Sequence, residues 1–184
     1  MFKTVKVKVK GNTPLLFNRF READIDKTIK KHTGTSGAKD PGRKLYLTSG
    51  DKVYTPSTHI HGALVDAAKN FQIVGKKRST YSKLFGSSVI VEPDVIVHKK
   101  QKWETFSISA VNPSTRGRIM VHRPMMKEWE LEFDILFNDE DIPLEVLKSI
   151  LEWSGQYSGI GDWRPNKKGK YGKFIVTKFE YNGK

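Results

Sequence analysis

Five histidines, His32, His59, His61, His98 and His122, are the side chains of this 184-residue sequence whose ordinary pKa lies near neutral pH. Two of them stand two residues apart in Pro56-Ser-Thr-His-Ile-His-Gly-Ala-Leu64, where a helix is expected to begin. On a helix that spacing points the rings in different directions, and no carboxylate cluster accompanies them, so His-x-His is no convincing metal pair. A helix N-terminus lowers the pKa of a nearby imidazole, which suits a neutral general base. His32, His59 and His61 are therefore the candidates for acid–base chemistry. A histidine near the start of a helix is more often a phosphate contact or a plain surface residue.

A second group of residues is suited to binding. The segment GIGDWRPNKKGKYGKF, residues 159–174, places Gly159, Gly161, Gly169 and Gly172 around Arg164, Lys167, Lys168 and Lys170. Glycine lets a backbone approach a sugar-phosphate chain and aim N–H groups at it with no Cβ in the way. The cations supply charge, and Trp163 and Tyr171 offer ring faces for bases, each stack contributing about 1–3 kcal/mol. A solvated turn whose glycines permit a tight return to a sheet would use the same residues. Gly159-Ile-Gly161 is no dinucleotide fingerprint, because a helix precedes it and a strand follows. With no Walker loop and no cysteine, neither a cofactor nor a metal is indicated.

Net charge supports the binding reading. The formal charge is +13, and Lys and Arg outnumber Asp and Glu 13 to 5 over residues 1–52, 8 to 3 over 53–102 and 7 to 2 over 154–184. Residues 103–153 reverse the ratio, 5 to 10. A polyanion that releases counterions on binding is the natural partner of such a surface. Two more basic clusters stand out: Lys76, Lys77 and Arg78 in a segment with one exposed aromatic, Tyr81, and Arg116, Arg118 and Arg123 in and after the turn Asn112–Arg118. The N-terminal MFKTVKVKVK alternates instead of forming an apolar block, so no signal peptide is expected, and no run has the length of a membrane helix. The absence of cysteine suits a reducing cytoplasm.

The elements that must position these residues follow from hydrophobic periodicity. Val5, Val7 and Val9 alternate with Lys6, Lys8 and Lys10, a half-buried strand over 2–10. A charged stretch from about 18 to 46 reads as a long loop that orders on binding or as a passive insertion. Ser57 is a candidate cap for a helix whose stripe is Ile60, Ala63, Leu64, Ala67, Ala68 and Phe71. Residues 88–97 are β-branched but broken by Pro93, giving one bent strand or two short ones. A hairpin insertion is expected at about 98–123. Trp129, Leu131, Phe133, Ile135 and Phe137 alternate with acidic residues in the clearest strand of the chain. A second helix over 143–154 is expected to end at Gly155, and a last strand to run from Phe174 to Tyr181. The order is α+β, a β-α-β-β-α-β antiparallel sheet with two helices, as in ferredoxin-like and RRM-like domains; RRM domains bind RNA on the open sheet face. Residues 1–184 are read as one such domain.

The glycine loop between the last helix and last strand, together with Pro56, Ser57, Gly62, Ala63 and Leu64, resembles the RAMP superfamily of CRISPR-associated proteins. That resemblance implies an RRM-like fold whose glycine-rich loop contacts RNA. Among its branches the backbone subunits that line up along an RNA look closest, and a stand-alone, viral relative is the other reading. Val65 stands where several relatives carry arginine. Some backbone subunits cut RNA with an aspartate after the first strand; Asp24, Asp26 and Asp40 lie in that region, with no motif to choose among them. The RNA-processing branch implies metal-free cleavage by a histidine. The expectation is thus a non-catalytic, sequence-tolerant binder of single-stranded nucleic acid, RNA ahead of DNA, self-associating along the strand or joining a CRISPR-like effector complex. A metal-independent endoribonuclease is the alternative, and a scaffold for acidic protein partners the third reading.

Overall fold

A computed structural model of the chain describes residues 2–20, 41–76, 78–111 and 114–182. His32, Lys77, Asp24, Asp26 and Asp40 lie outside the described residues, as does most of the stretch expected as a long loop.

Strand β1 (Phe2–Gly11) is central, because its alternation serves two neighbours at once. It pairs antiparallel with β8 (Glu130–Asn138) on one side and β9 (Phe174–Asn182) on the other. With β4 (Ile90–Glu92) beyond β8, the sheet order is β4-β8-β1-β9, all antiparallel. Residues directly opposite share a face. Val5, Val7 and Val9 therefore lie beside Ile135, Phe133 and Leu131, all buried. Full burial of each such side chain contributes about 1.5–3 kcal/mol. On the other face Lys6, Lys8 and Lys10 stand opposite Asp134, Glu132 and Glu130.

Helix α1 (Ser57–Ala68) buries Ile60, Ala63, Leu64, Ala67 and Ala68 in the core that β1 and β8 share, with Phe71 half-buried beyond its end. Ser57 is not its cap. The preceding Pro56 belongs to β3 (Tyr54–Pro56), paired with β5 (Val95–Val97), so the helix leaves the strand directly. Ser57 instead donates its N–H to the Asp94 carbonyl and its hydroxyl to Asp94 Oδ1. The residues around Pro93 thus form two short strands in different sheets, and a helix the periodicity missed, α2 (Ser82–Ser88), precedes them. Tyr81, expected to be exposed, is buried beside it.

Helix α3 (Leu144–Trp153) buries Leu147, Ile150 and Leu151 and does not stop at Gly155. It widens into a π turn, Ser154–Ser158, and reverses only at Gly159, with φ 64°. Gly155 is where the turn touches β9: a Cβ there would overlap the Phe174 carbonyl. The hairpin insertion runs later than expected, as β6 (Glu104–Val111) and β7 (Arg118–Met126), and β2 (Leu15–Leu16) joins it as a third strand. No helix among the described residues is long and apolar enough to cross a membrane.

Candidate nucleic-acid interface

The glycine loop is packed, not pliable. Buried Ile160 donates its N–H to the Gly172 carbonyl at 3.0 Å; Gly172 donates to Pro14 at 2.8 Å and Asp162 to Leu16 at 2.9 Å, tying the loop to the link between β1 and β2. Gly161 and Gly172 have φ near +79° and +69°, and a Cβ at either would overlap a carbonyl, that of Leu16 or of Ile160. The N–H groups of Gly159 and Gly169 are likewise taken by the Ser154 and Arg164 carbonyls. The expectation that these glycines offer N–H groups to a phosphate chain is therefore corrected for Gly159, Gly169 and Gly172. All four glycines permit close packing.

Two of the aromatic candidates are engaged as well. Phe106 of β6 meets Trp163 edge-on at 6.2 Å and Tyr171 at 5.5 Å, clamping the hairpin to the loop. On the same face of the hairpin, Arg123 donates Nε to Asp162 Oδ2 at 2.8 Å. Both side chains are mostly shielded, 15% and 21% exposed, so Arg123 is a strut and not a free contact. Arg116 and Arg118 stay exposed at the hairpin tip. Lys167, Lys168 and Lys170 are exposed and form no ion pair with described residues; Lys170 Nζ lies 5.7 Å from the Tyr171 ring centre. Lys76 and Arg78 are exposed too, but beyond the C-terminal end of α1, a helix about 18 Å long.

What the fold does bring together are the two sequence motifs. The first turns of α1, through Thr58, His59, Gly62 and Ala63, face Gly159, Gly161, Arg164 and Asn166 across a cleft of about 290 Å3, with Asn18 and Tyr46 along its side. His59 stands edge-on to Tyr46, ring centres 5.3 Å apart at 88°. The Arg19 guanidinium lies over the far ring of that pair, 5.6 Å from the Tyr46 centre. Arg164 Nη1 donates to the Gly161 carbonyl at 2.9 Å, which fixes its charge beside the cleft. Burial, reinforced by the Arg164 charge, pushes the His59 pKa down, so the ring is neutral at pH 7. Burial raises the Tyr46 hydroxyl, against a smaller opposing effect of Arg19.

His61 points elsewhere, as the spacing requires: Nε2 lies 3.1 Å from the Phe85 carbonyl and so carries the proton, anchoring α2. His61 does not line the cleft, whereas His59 does. Arg19, Asn18, Tyr46, Thr58 and Asn166 were not anticipated. Thr58 and Asn166 lie inside the two motifs, whereas Asn18 and Tyr46 reach the cleft, and Arg19 the Tyr46 ring, only through tertiary folding. Among the described residues no three His, Asp or Glu side chains gather as metal ligands. No protein-family model matches this chain, and no curated protein matches it in sequence.

Proposed function

We propose that the cleft and the lysine-bearing outer face of the glycine loop bind single-stranded nucleic acid, RNA ahead of DNA, with little sequence preference and without cleaving it. The observation that carries this reading is the convergence of a neutral imidazole, the Arg164 guanidinium and two amides on one cleft, beside three exposed lysines without carboxylate partners among the described residues. Cations without intramolecular partners are the ones that can exchange small counterions for phosphates. In this reading the chain is a RAMP-type, RRM-like protein, one of several copies along a strand or a member of a CRISPR-like complex. If β1, β4, β8 and β9 are its four strands and α1 and α3 its helices, the sheet order is 2-3-1-4, which suits the ferredoxin-like arrangement.

Filter binding of a labelled single strand at several salt concentrations tests it. Replacing Arg164, Lys167 and Lys168 by Ala is expected to weaken binding for every sequence and to flatten the salt dependence, by about 0.7 in log–log slope per lost phosphate contact. An unchanged slope removes the loop from the interface.

One geometric feature favours a second reading, a metal-independent endoribonuclease. Neutral His59 beside Tyr46, with Arg164 across the cleft, is arranged for proton transfer at a phosphodiester. His59 would take the proton of a ribose 2′-hydroxyl as that oxygen attacks the adjacent phosphorus. The bond to the 5′-oxygen would break, leaving a 2′,3′-cyclic phosphate, and Tyr46 would protonate the departing oxygen. Incubation with labelled RNA in EDTA separates the readings. Cleavage lost in His59→Ala but kept in His61→Ala selects the enzyme; intact RNA under saturating binding selects the binder.

A further inference from the structure

Trp153 and Tyr157 form the closest ring pair among the described residues, with centres 4.7 Å apart and planes tilted by 40°. The π turn makes the pair, carrying the chain from one ring to the other at the end of α3. It is fixed from behind. Ser154 donates to the Leu151 carbonyl, Ser158 donates to Asp66 Oδ2 at 2.8 Å, and Gly155 rests on β9. Trp153 leans on the core, whereas Tyr157 is 52% exposed and its hydroxyl makes no hydrogen bond among the described residues. A held backbone, a supported ring and a free outer face describe a platform for another flat group.

We infer that Tyr157, backed by Trp153, stacks a base of the strand that occupies the cleft, an inference that rests on the single-strand reading above. Tyr157 precedes by two residues Gly159, which lines the cleft, so their Cα atoms are at most about 7.6 Å apart. A strand leaving the cleft past Gly159 brings its next base to this ring. Neither Trp153 nor Tyr157 carries a positive charge to pair with a phosphate. Its contribution is stacking, not charge, and that gives it a signature distinct from the lysines.

The experiment compares Tyr157→Ala, Tyr157→Phe and the parent on a short oligonucleotide across a salt series, and repeats it with one abasic site stepped along the strand. Tyr157→Ala is expected to weaken binding at least about fivefold with an unchanged salt slope, while Tyr157→Phe binds as the parent does. At one position the abasic site should cost the parent the same factor and cost Tyr157→Ala nothing further. Equal urea midpoints establish that the variants are folded. If Tyr157→Ala binds like the parent while the Arg164, Lys167 and Lys168 triple variant loses binding, the platform is rejected and the cleft reading stands. A loss accompanied by a changed salt slope also rejects it. A parent protein that retains no single strand overturns both.

Discussion

The open face of the four-stranded sheet and the outer face of the glycine loop carry the same kind of side chain in different company. On the sheet, Lys8 reaches Glu130 and Glu132 at 3.4 Å, Lys99 reaches Glu132, Lys100 pairs with Glu128, and Lys178 with Glu180. On the loop, Lys167, Lys168 and Lys170 have no carboxylate among the described residues. Of the acidic residues in 103–153, Glu104, Glu128, Glu130 and Glu132 are thus paired with the protein's own lysines. The centre of that open face, where RRM domains present rings to RNA, presents ion pairs instead. Net charge counts both regions equally, but Lys8, Lys99, Lys100 and Lys178 already have carboxylate partners within the protein. Availability also depends on rigidity, because a loop that holds its cations in place must itself be held.

The largest test of the contrast attacks that rigidity. Gly172→Val places a β-branched side chain at positive φ and against the Ile160 carbonyl. Strain and overpacking together are expected to cost about 3 kcal/mol, read as a lowered urea midpoint at unchanged m-value. A variant as stable as the parent would mean the loop is the pliable ribbon its composition suggests.

Acid separates the core from both surfaces. His98 is 1% exposed between Phe17 and Trp129; Nε2 contacts the Thr55 hydroxyl at 2.9 Å, and Nδ1 has no hydrogen-bond partner among the described residues. Burial lowers its pKa from 6.5 to about 4. The unfolded chain therefore takes up this proton first as pH falls. The stability is complete above pH 6.5 and is lost progressively toward pH 4, by about 2 kcal/mol between pH 7.5 and 5. His98→Gln should flatten this dependence in paired urea titrations. The surface pairs lose nothing in that window, since Lys8 and Lys100 are raised and Glu128 and Glu132 lowered by their partners.

Periodicity made β1, β8, α1 and α3 legible, because each buries one face with its own period: Val5, Val7 and Val9 for a strand, Ile60, Ala63, Leu64 and Ala67 for a helix. It could not show α2, whose seven residues include Gly86 and three serines and bury only Phe85. The two motifs that line the cleft were visible, and so was the divergence of His59 and His61. Their partners were not. Arg123 and Asp162 are 39 residues apart, and Phe106 meets Trp163 and Tyr171 only because the hairpin folds over the loop. Basic and aromatic residues therefore looked free in the sequence when tertiary contacts had already engaged some of them. The glycines misled for a related reason: composition shows where a Cβ is absent, and only packing shows what fills its place.

Removing charge tests the contrast directly. Replacing Lys8, Lys100 and Lys178 by Ala is expected to leave both the salt slope of single-strand binding and the urea midpoint nearly unchanged, since exposed pairs contribute little. The three substitutions match in number those proposed for Arg164, Lys167 and Lys168, so equal slopes in the two variants would abolish the distinction between spent and available charge.

The smallest effect lies in the cleft itself. His59 is neutral at pH 7 because burial and Arg164 hold its pKa below 6.5. A phosphate beside the ring would favour the imidazolium, so the bound protein should hold this proton to higher pH than the free protein. By linkage, affinity must then rise as pH falls through that range, and about threefold between pH 7.5 and 5.5 is expected. His59→Gln should bind with a flat profile over the same interval. The paired groups of the sheet contribute no slope, because Lys8 and Lys100 are raised and Glu128 and Glu132 lowered, away from this interval. A parent protein with pH-independent affinity would place the phosphate away from His59, leaving the exposed lysines to hold the strand alone.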